Sequence, residues 1–128
     1  MNWNLLGLVM AGGALGAAMR HLLGGWLLRH AGNGIPWGTL AANLFGSFAA
    51  GLLFAWLEGR GPSALYWRAF LMVGVLGALT TYSALMLECL LYSRTGKAAL
   101  LFGYLGLTLV GGVALVWLGA RLGDLLRA

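Results

Sequence analysis

Residues 74–85 read GVLGALTTYSAL, from Gly74 to Leu85, inside a run from Ala69 to Leu87 that contains no charged residue. A run of that length suits a helix crossing a bilayer. Two glycines followed by the four hydroxyl side chains of Thr80, Thr81, Tyr82 and Ser83 suit it poorly. Glycine lowers helix propensity, and Thr and Ser bond back to carbonyls one turn earlier and loosen the ladder. The pattern predicts a break around Gly77 to Thr80. Hydrocarbon offers nothing to a released carbonyl, so those carbonyls must meet water, a donor from another helix or a cation.

The rest of the chain supports a membrane setting. Of its 128 residues, 61% are hydrophobic and 9% charged, with a mean hydropathy of +0.88, whereas soluble domains are about one-quarter charged. Charge-free windows run from Met1 to Met19, Gly38 to Leu57, Ala69 to Leu87 and Ala98 to Ala120. Each approaches the roughly 20 residues that a spanning helix requires. The reading is an all-α integral membrane protein, one domain over residues 1–128 with helices near 4–28, 38–57, 66–91 and 98–122, the third of them broken. Connections are short, which excludes a hidden soluble catalytic domain. Four helices leave little room for a private pore, so an oligomer is expected.

Three other readings fail. The first apolar stretch is not a signal peptide, because Met1-Asn2-Trp3-Asn4 lacks a basic n-region and the apolar run is long. A net charge of +5 is compatible with nucleic-acid binding, but the eight basic residues are scattered over loops and helix ends and form no stripe. His21 and His30 have no partner carboxylate or nucleophile at suggestive spacing, so an enzyme is not expected. Cys89 is the only cysteine, which excludes an internal disulfide.

Basic residues beside membrane helices normally mark the cytoplasmic side. In a four-span chain, one face holds Arg60, Arg68, Arg121 and Arg127, and the other holds Arg20, Arg29, Arg94 and Lys97. Four balance four. The simplest consequence is insertion in both orientations, which permits antiparallel dimers; the alternative is that one residue near a helix end decides.

The apolar helices carry small and polar stripes. Gly12, Gly16 and Arg20 recur every four residues on the first; the glycines read as a face for close packing. Arg20 reads either as a snorkelling side chain or as an attractant for anions at a pore mouth. On the second span, Thr39, Asn43 and Ser47 lie one above another, with Gly51 continuing the face. The amide of Asn43 either bonds to another helix or donates to a passing anion. The fourth span repeats the spacing with Tyr104, Thr108 and Gly112. Two such stripes favour a pathway over simple adhesion. If two third-span breaks met in an antiparallel dimer, a monovalent cation on main-chain oxygens would pin them. Glu88, the one acid bordering that span, reads as a cap or as a partner of Arg or Lys at the interface.

The runs GVLGALTTYSALMLE, WGTLAANLFGSFAAGLL and GGALGAAMRHLL together resemble the Fluc (CrcB) family of fluoride channels, over essentially the whole chain. That resemblance implies a dual-topology antiparallel homodimer in the plasma membrane, two fluoride pores, and a central structural sodium ion. Gly77 and Thr80 would supply the sodium-ligating carbonyls. Asn43 would be the pore asparagine, Arg20 the motif arginine, and Tyr104 and Thr108 the fourth-helix hydroxyl track. Where the family reads Thr-Thr-Phe-Ser-Thr-Phe, this chain has Thr80-Thr81-Tyr82-Ser83-Ala84-Leu85. Tyr82 keeps the electropositive ring edge of a phenylalanine and adds a hydroxyl; Leu85 has no such edge.

Fluoride is small and strongly hydrated, so a selective path must replace its water with closely set donors. Asn43, Ser47, Ser83, Thr39, Thr108, Tyr104 and Tyr82 are donors of the right kind. Two other classes compete. A small dual-topology multidrug exporter would need a membrane-embedded carboxylate in its first helix, where this chain has only Arg20. A noncatalytic membrane assembly protein would need only the glycine faces and leaves the polar stripes unused.

Overall fold

A computed structural model describes residues 1–128. Five helical segments follow one another: α1 (Trp3–Ala31), α2 (Trp37–Leu57), α3 (residues 63–79), α4 (Tyr82–Arg94) and α5 (Ala98–Arg127). Together α3 and α4 make the third of four stretches long and apolar enough to cross a membrane, the others being α1, α2 and α5. The chain is an all-α, multi-pass membrane protein. At about 1.5 Å per residue, a helix the length of α1 or α5 exceeds the ~30 Å hydrocarbon layer.

The ends of the helices follow from local chemistry. Asn2 starts α1, its side-chain oxygen accepting from the N–H groups of Asn4 and Leu5 at 3.1 and 3.3 Å. The turn between α4 and α5 places Gly96 at φ +71°, a left-handed conformation that glycine adopts without a steric penalty. Inside α3 the residues Arg68–Leu76 form a π-helical run between the α-turns Ser63–Trp67 and Gly77–Leu79. π-Helical turns are rare and concentrate at functional positions.

Glycine faces set the packing. A Cβ on Gly12 would overlap the Phe70 carbonyl, and one on Gly16 would overlap that of Val75, so α1 touches the main chain of the π-helical run directly. From the other side, a Cβ on Gly74 would lie 2.9 Å from both the Gly12 Cα and the Val9 carbonyl oxygen. The Gly12/Gly16 face is thus a packing face, as its spacing suggested. The largest contact joins α2 to α5. There Gly51 lies against the Val116 carbonyl and Gly119 against the Phe48 carbonyl. Backbone contact of this kind supplies dispersion where lipid removes the hydrophobic drive between helices.

Only 20 of the 128 residues are buried, while Trp3, Met10, Trp26, Phe102, Val110 and Trp117 among many others lie open. An apolar surface of this extent is covered by lipid tails or by another protein. The buried side chains form two groups. Leu40, Leu85, Tyr92 and Tyr104 lie between α2, α4 and α5; Ala42, Leu76 and Leu79 lie where α3 crosses α2. The break separates these two groups.

The glycine contacts give a direct test. Gly16→Ala should destabilise the protein by about 1–3 kcal/mol through overpacking against Val75. The adjacent Gly13 has nothing within 4 Å of a built Cβ, so Gly13→Ala should be neutral or slightly stabilising through helix propensity. Thermal unfolding of both variants in detergent measures the contrast.

Candidate functional site

The break occupies two residues. Thr80 has φ −81° and ψ 152°, and Thr81 has φ −150° and ψ 119°, both extended, between a helical Leu79 and a helical Tyr82. Thr80 remains tied to α3, its N–H and its hydroxyl both donating to the Leu76 carbonyl at 3.0 and 2.8 Å. Thr81 begins α4 as its cap, its hydroxyl oxygen accepting from the Ala84 N–H at 3.2 Å.

Asn43 of α2 closes on the middle of this break. Its side-chain oxygen accepts from the Thr81 N–H at 2.7 Å, and its amide nitrogen donates to the Thr81 carbonyl at 3.1 Å. One carboxamide therefore satisfies both polar groups of one residue. In an unbroken helix the N–H groups of Thr81 and Ala84 would bond the carbonyls of Gly77 and Thr80. Here both donate to side chains instead. The carbonyls of Gly77 and Thr80 thereby lose their helical donors.

An open groove of about 430 Å³ lies over the break. It is lined by Asn43, Gly46 and Ser47 from α2, Met72 and Leu76 from α3, Thr80, Thr81, Tyr82 and Leu85, and Thr108 and Val116 from α5. Its polar groups are an amide and hydroxyls, with no carboxylate among them. Asn43 has a second N–H beyond the one given to Thr81. Ser47 donates to the Asn43 carbonyl at 2.7 Å and Thr108 to the Tyr104 carbonyl at 2.8 Å, each one turn back on its own helix. Tyr82 is 73% exposed whereas Leu85 is 4% exposed, so of the two positions where the family motif has phenylalanine, one projects outward and the other belongs to the core.

A second polar centre adjoins it. Thr39 donates to one oxygen of Glu88 at 2.6 Å, and Tyr104 donates to the other at 2.5 Å. The expected pairing of Glu88 with Arg or Lys is not what the structure has: its partners are these two hydroxyls from α2 and α5. The physical reason is position, since Glu88 lies within reach of the Thr39 hydroxyl of α2 and the Tyr104 hydroxyl of α5.

The sequence-derived residues thus fall into separate places. Asn43, Ser47, Tyr82 and Thr108 meet at the groove with Thr80, while Thr39 and Tyr104 meet at Glu88. Ser83 lies 3.4 Å from the Thr81 hydroxyl on the exposed side of α4. Arg20 lines neither centre, and its Nε is buried without a hydrogen-bond partner. Glu88 has a larger part in the structure than its place at the edge of the third span suggests, joining α2 and α5 through two hydroxyls. Its signal was present, because an acid in an apolar helix requires donors wherever they can be found. His, Cys, Asp and Glu nowhere gather in a group of three or more able to hold a metal ion.

A membrane chain with one interrupted helix, its break facing a polar groove, has the architecture of channels and transporters, in which irregular backbone at membrane depth lines a cavity or site. The chain belongs to the CrcB family: the family model described as CrcB-like protein, Camphor Resistance (CrcB), matches residues 7–120. A relative from Xanthomonas euvesicatoria pv. vesicatoria, named fluoride-specific ion channel FluC, is 52% identical over 126 residues, 98% of this chain and 95% of its own length. The protein of the same name from Xylella fastidiosa is 50% identical over 94% of this chain and 85% of its own. That from Agrobacterium fabrum is 41% identical over 92% of this chain and 94% of its own.

Replacing Asn43 by Leu keeps the bulk and removes both bonds to Thr81. The stranded N–H and carbonyl should cost about 1–3 kcal/mol each. Ser47→Ala removes only a hydroxyl bonded back to its own helix and should cost less than about 0.5 kcal/mol. Denaturation in detergent micelles measures both; equal losses would remove the clamp from the account of the break.

Proposed function

We propose that this protein is a fluoride-selective channel of the plasma membrane, passing the anion down its gradient through two pores of an antiparallel homodimer. One observation carries the reading: relatives named fluoride-specific ion channels align over nearly the whole chain, and the family match over residues 7–120 contains every residue of the groove.

The donor chemistry supports it. A fluoride ion accepts hydrogen bonds, and the groove offers the free N–H of Asn43 and the exposed ring edge and hydroxyl of Tyr82. Ser83, beside the groove, supplies a further hydroxyl. Ser47 and Thr108 give their protons to carbonyls one turn back. Those carbonyls belong to helix interiors and keep backbone donors, so either hydroxyl can swing to an anion without stranding its old acceptor. Thr39 and Tyr104 differ, because an anion drawing on their protons competes with the Glu88 carboxylate. Arg20, away from the groove, supplies positive charge that raises local anion concentration.

A structural sodium ion fits the donor set at the break. The Gly77 and Thr80 carbonyls, deprived of their helical donors, would hold it together with the same two groups of the second copy. Bound there, the ion supplies a positive charge that ties main-chain oxygens of the two third spans together. Because the donor set is all main-chain oxygen, substitutions that leave the break intact should leave the ion in place.

Fluoride and chloride efflux from liposomes containing the purified protein tests the channel. Fluoride should leave and chloride should stay. In Asn43→Asp, the lost donor and the added negative charge should slow fluoride by tenfold or more, an effect on the order of 1–3 kcal/mol. Equal release of the two anions by the wild type would defeat the reading.

Orientation is tested separately. A cysteine placed in the loop between α2 and α3, in a chain carrying Cys89→Ser, should react with impermeant maleimide from both sides of the membrane. Labelling from one side only would replace the antiparallel homodimer by a single-orientation assembly.

A further inference from the structure

We propose that Gly46 is a positioning residue for the helix break: its missing side chain is the seat of the Thr80 methyl group, and that contact fixes where the Thr80 carbonyl and the Thr81 peptide lie. Gly46 is buried on α2, one turn beyond Asn43 and on the same face. A Cβ there would overlap Thr80 Cγ2 and lie 3.7 Å from Thr80 Cβ. Thr80 cannot yield by a simple rotation. Its hydroxyl donates to the Leu76 carbonyl at 2.8 Å, and turning χ1 to another staggered position carries that oxygen away. With the hydroxyl so held, the methyl points into the space above Gly46.

The consequence reaches Asn43. Residues 80 and 81 are consecutive, and α2 holds them from two points a single turn apart: the Gly46 seat receives the side chain of Thr80, and the Asn43 carboxamide brackets the main chain of Thr81. Filling the seat pushes Thr80 off α2 and stretches both bonds from Asn43. The break then loosens without any polar group having been removed. For ion passage this inference rests on the channel reading above, since the groove is lined by the same residues; for the geometry of the break it does not.

Gly46→Ala, introduced into the wild type and into the Thr80→Ser variant, provides the test. Thr80→Ser deletes the methyl and keeps the hydroxyl that bonds Leu76. Hydrogen–deuterium exchange in nanodiscs is read over residues 76–86, with residues 7–18 of α1 as internal reference, and fluoride efflux is read from liposomes. In the wild-type background, Gly46→Ala should raise exchange across the break about tenfold and reduce efflux to a similar degree, leaving the reference unchanged. In the Thr80→Ser background the same substitution should change either quantity by less than about twofold. An equal effect in both backgrounds, or no effect in the wild type, overturns the proposal. If Gly46→Ala yields folded protein only when Thr80→Ser accompanies it, the proposal is supported; failure to fold in both overturns it. Liposomes of the wild type that release no fluoride would defeat the channel reading, while the exchange comparison would still decide the role of Gly46.

Discussion

A helix interrupted within a bilayer must find partners for the peptide groups it releases, and in this protein one carboxamide does so. Asn43 accepts from the Thr81 N–H and donates to the Thr81 carbonyl, replacing both bonds that the interruption costs that residue. The rest of the architecture follows from that pairing. It requires α2 to lie beside the break, which the glycine contact of α2 with α5 and the Ala42, Leu76 and Leu79 group maintain. It also allows α3 and α4 to behave as separate helices, with Thr81 capping the second. The polar groove exists because the break does.

The hydroxyl groups around the groove are nearly all engaged. Ser47 and Thr108 bond their own helices, Thr39 and Tyr104 bond Glu88, and Thr80 bonds Leu76. An unpaired hydroxyl in an apolar setting is costly, so this is the expected resting arrangement. It has a consequence for selectivity. Beyond the second N–H of Asn43 and the hydroxyls of Tyr82 and Ser83, an anion would gain a donor here only by outcompeting a carbonyl or a carboxylate for it, and a small anion of high charge density competes better than a large diffuse one.

Much of this was legible in the chain itself. Charge-free windows revealed four spans, four-residue glycine spacing revealed the α1 face, and the glycine and hydroxyl pattern of residues 74–85 revealed the break. Sequence placed the break around Gly77 to Thr80, whereas the extended residues are Thr80 and Thr81. The difference arises because its register is fixed from outside, by the reach of Asn43 from a helix some 38 positions earlier. Glu88 was legible as a charge in need of partners, but which partners depended on how α2 and α5 face α4. The π-helical run of α3 has no sequence signature of its own; it emerges with the contact of its carbonyls against Gly12 and Gly16. Arg20 stands on the expected face of α1, yet the groove forms elsewhere, because α1 packs on α3 and not on the break.

The pairing of α2 with α5 also gives this small protein a chronology. α2 ends at Leu57 and α5 begins only at Ala98. At ribosomal speeds of roughly 5–20 residues per second, the interval between the two lasts several seconds. During that time Gly51 lacks the Val116 main chain that later covers it, and Asn43 has no Thr81 to bracket until the third span is made. The newborn chain therefore passes through a stage at which an asparagine and a bare glycine face reside in the membrane without their eventual neighbours. The third span, once made, gives Asn43 its partner, and the last helix then covers the glycine face.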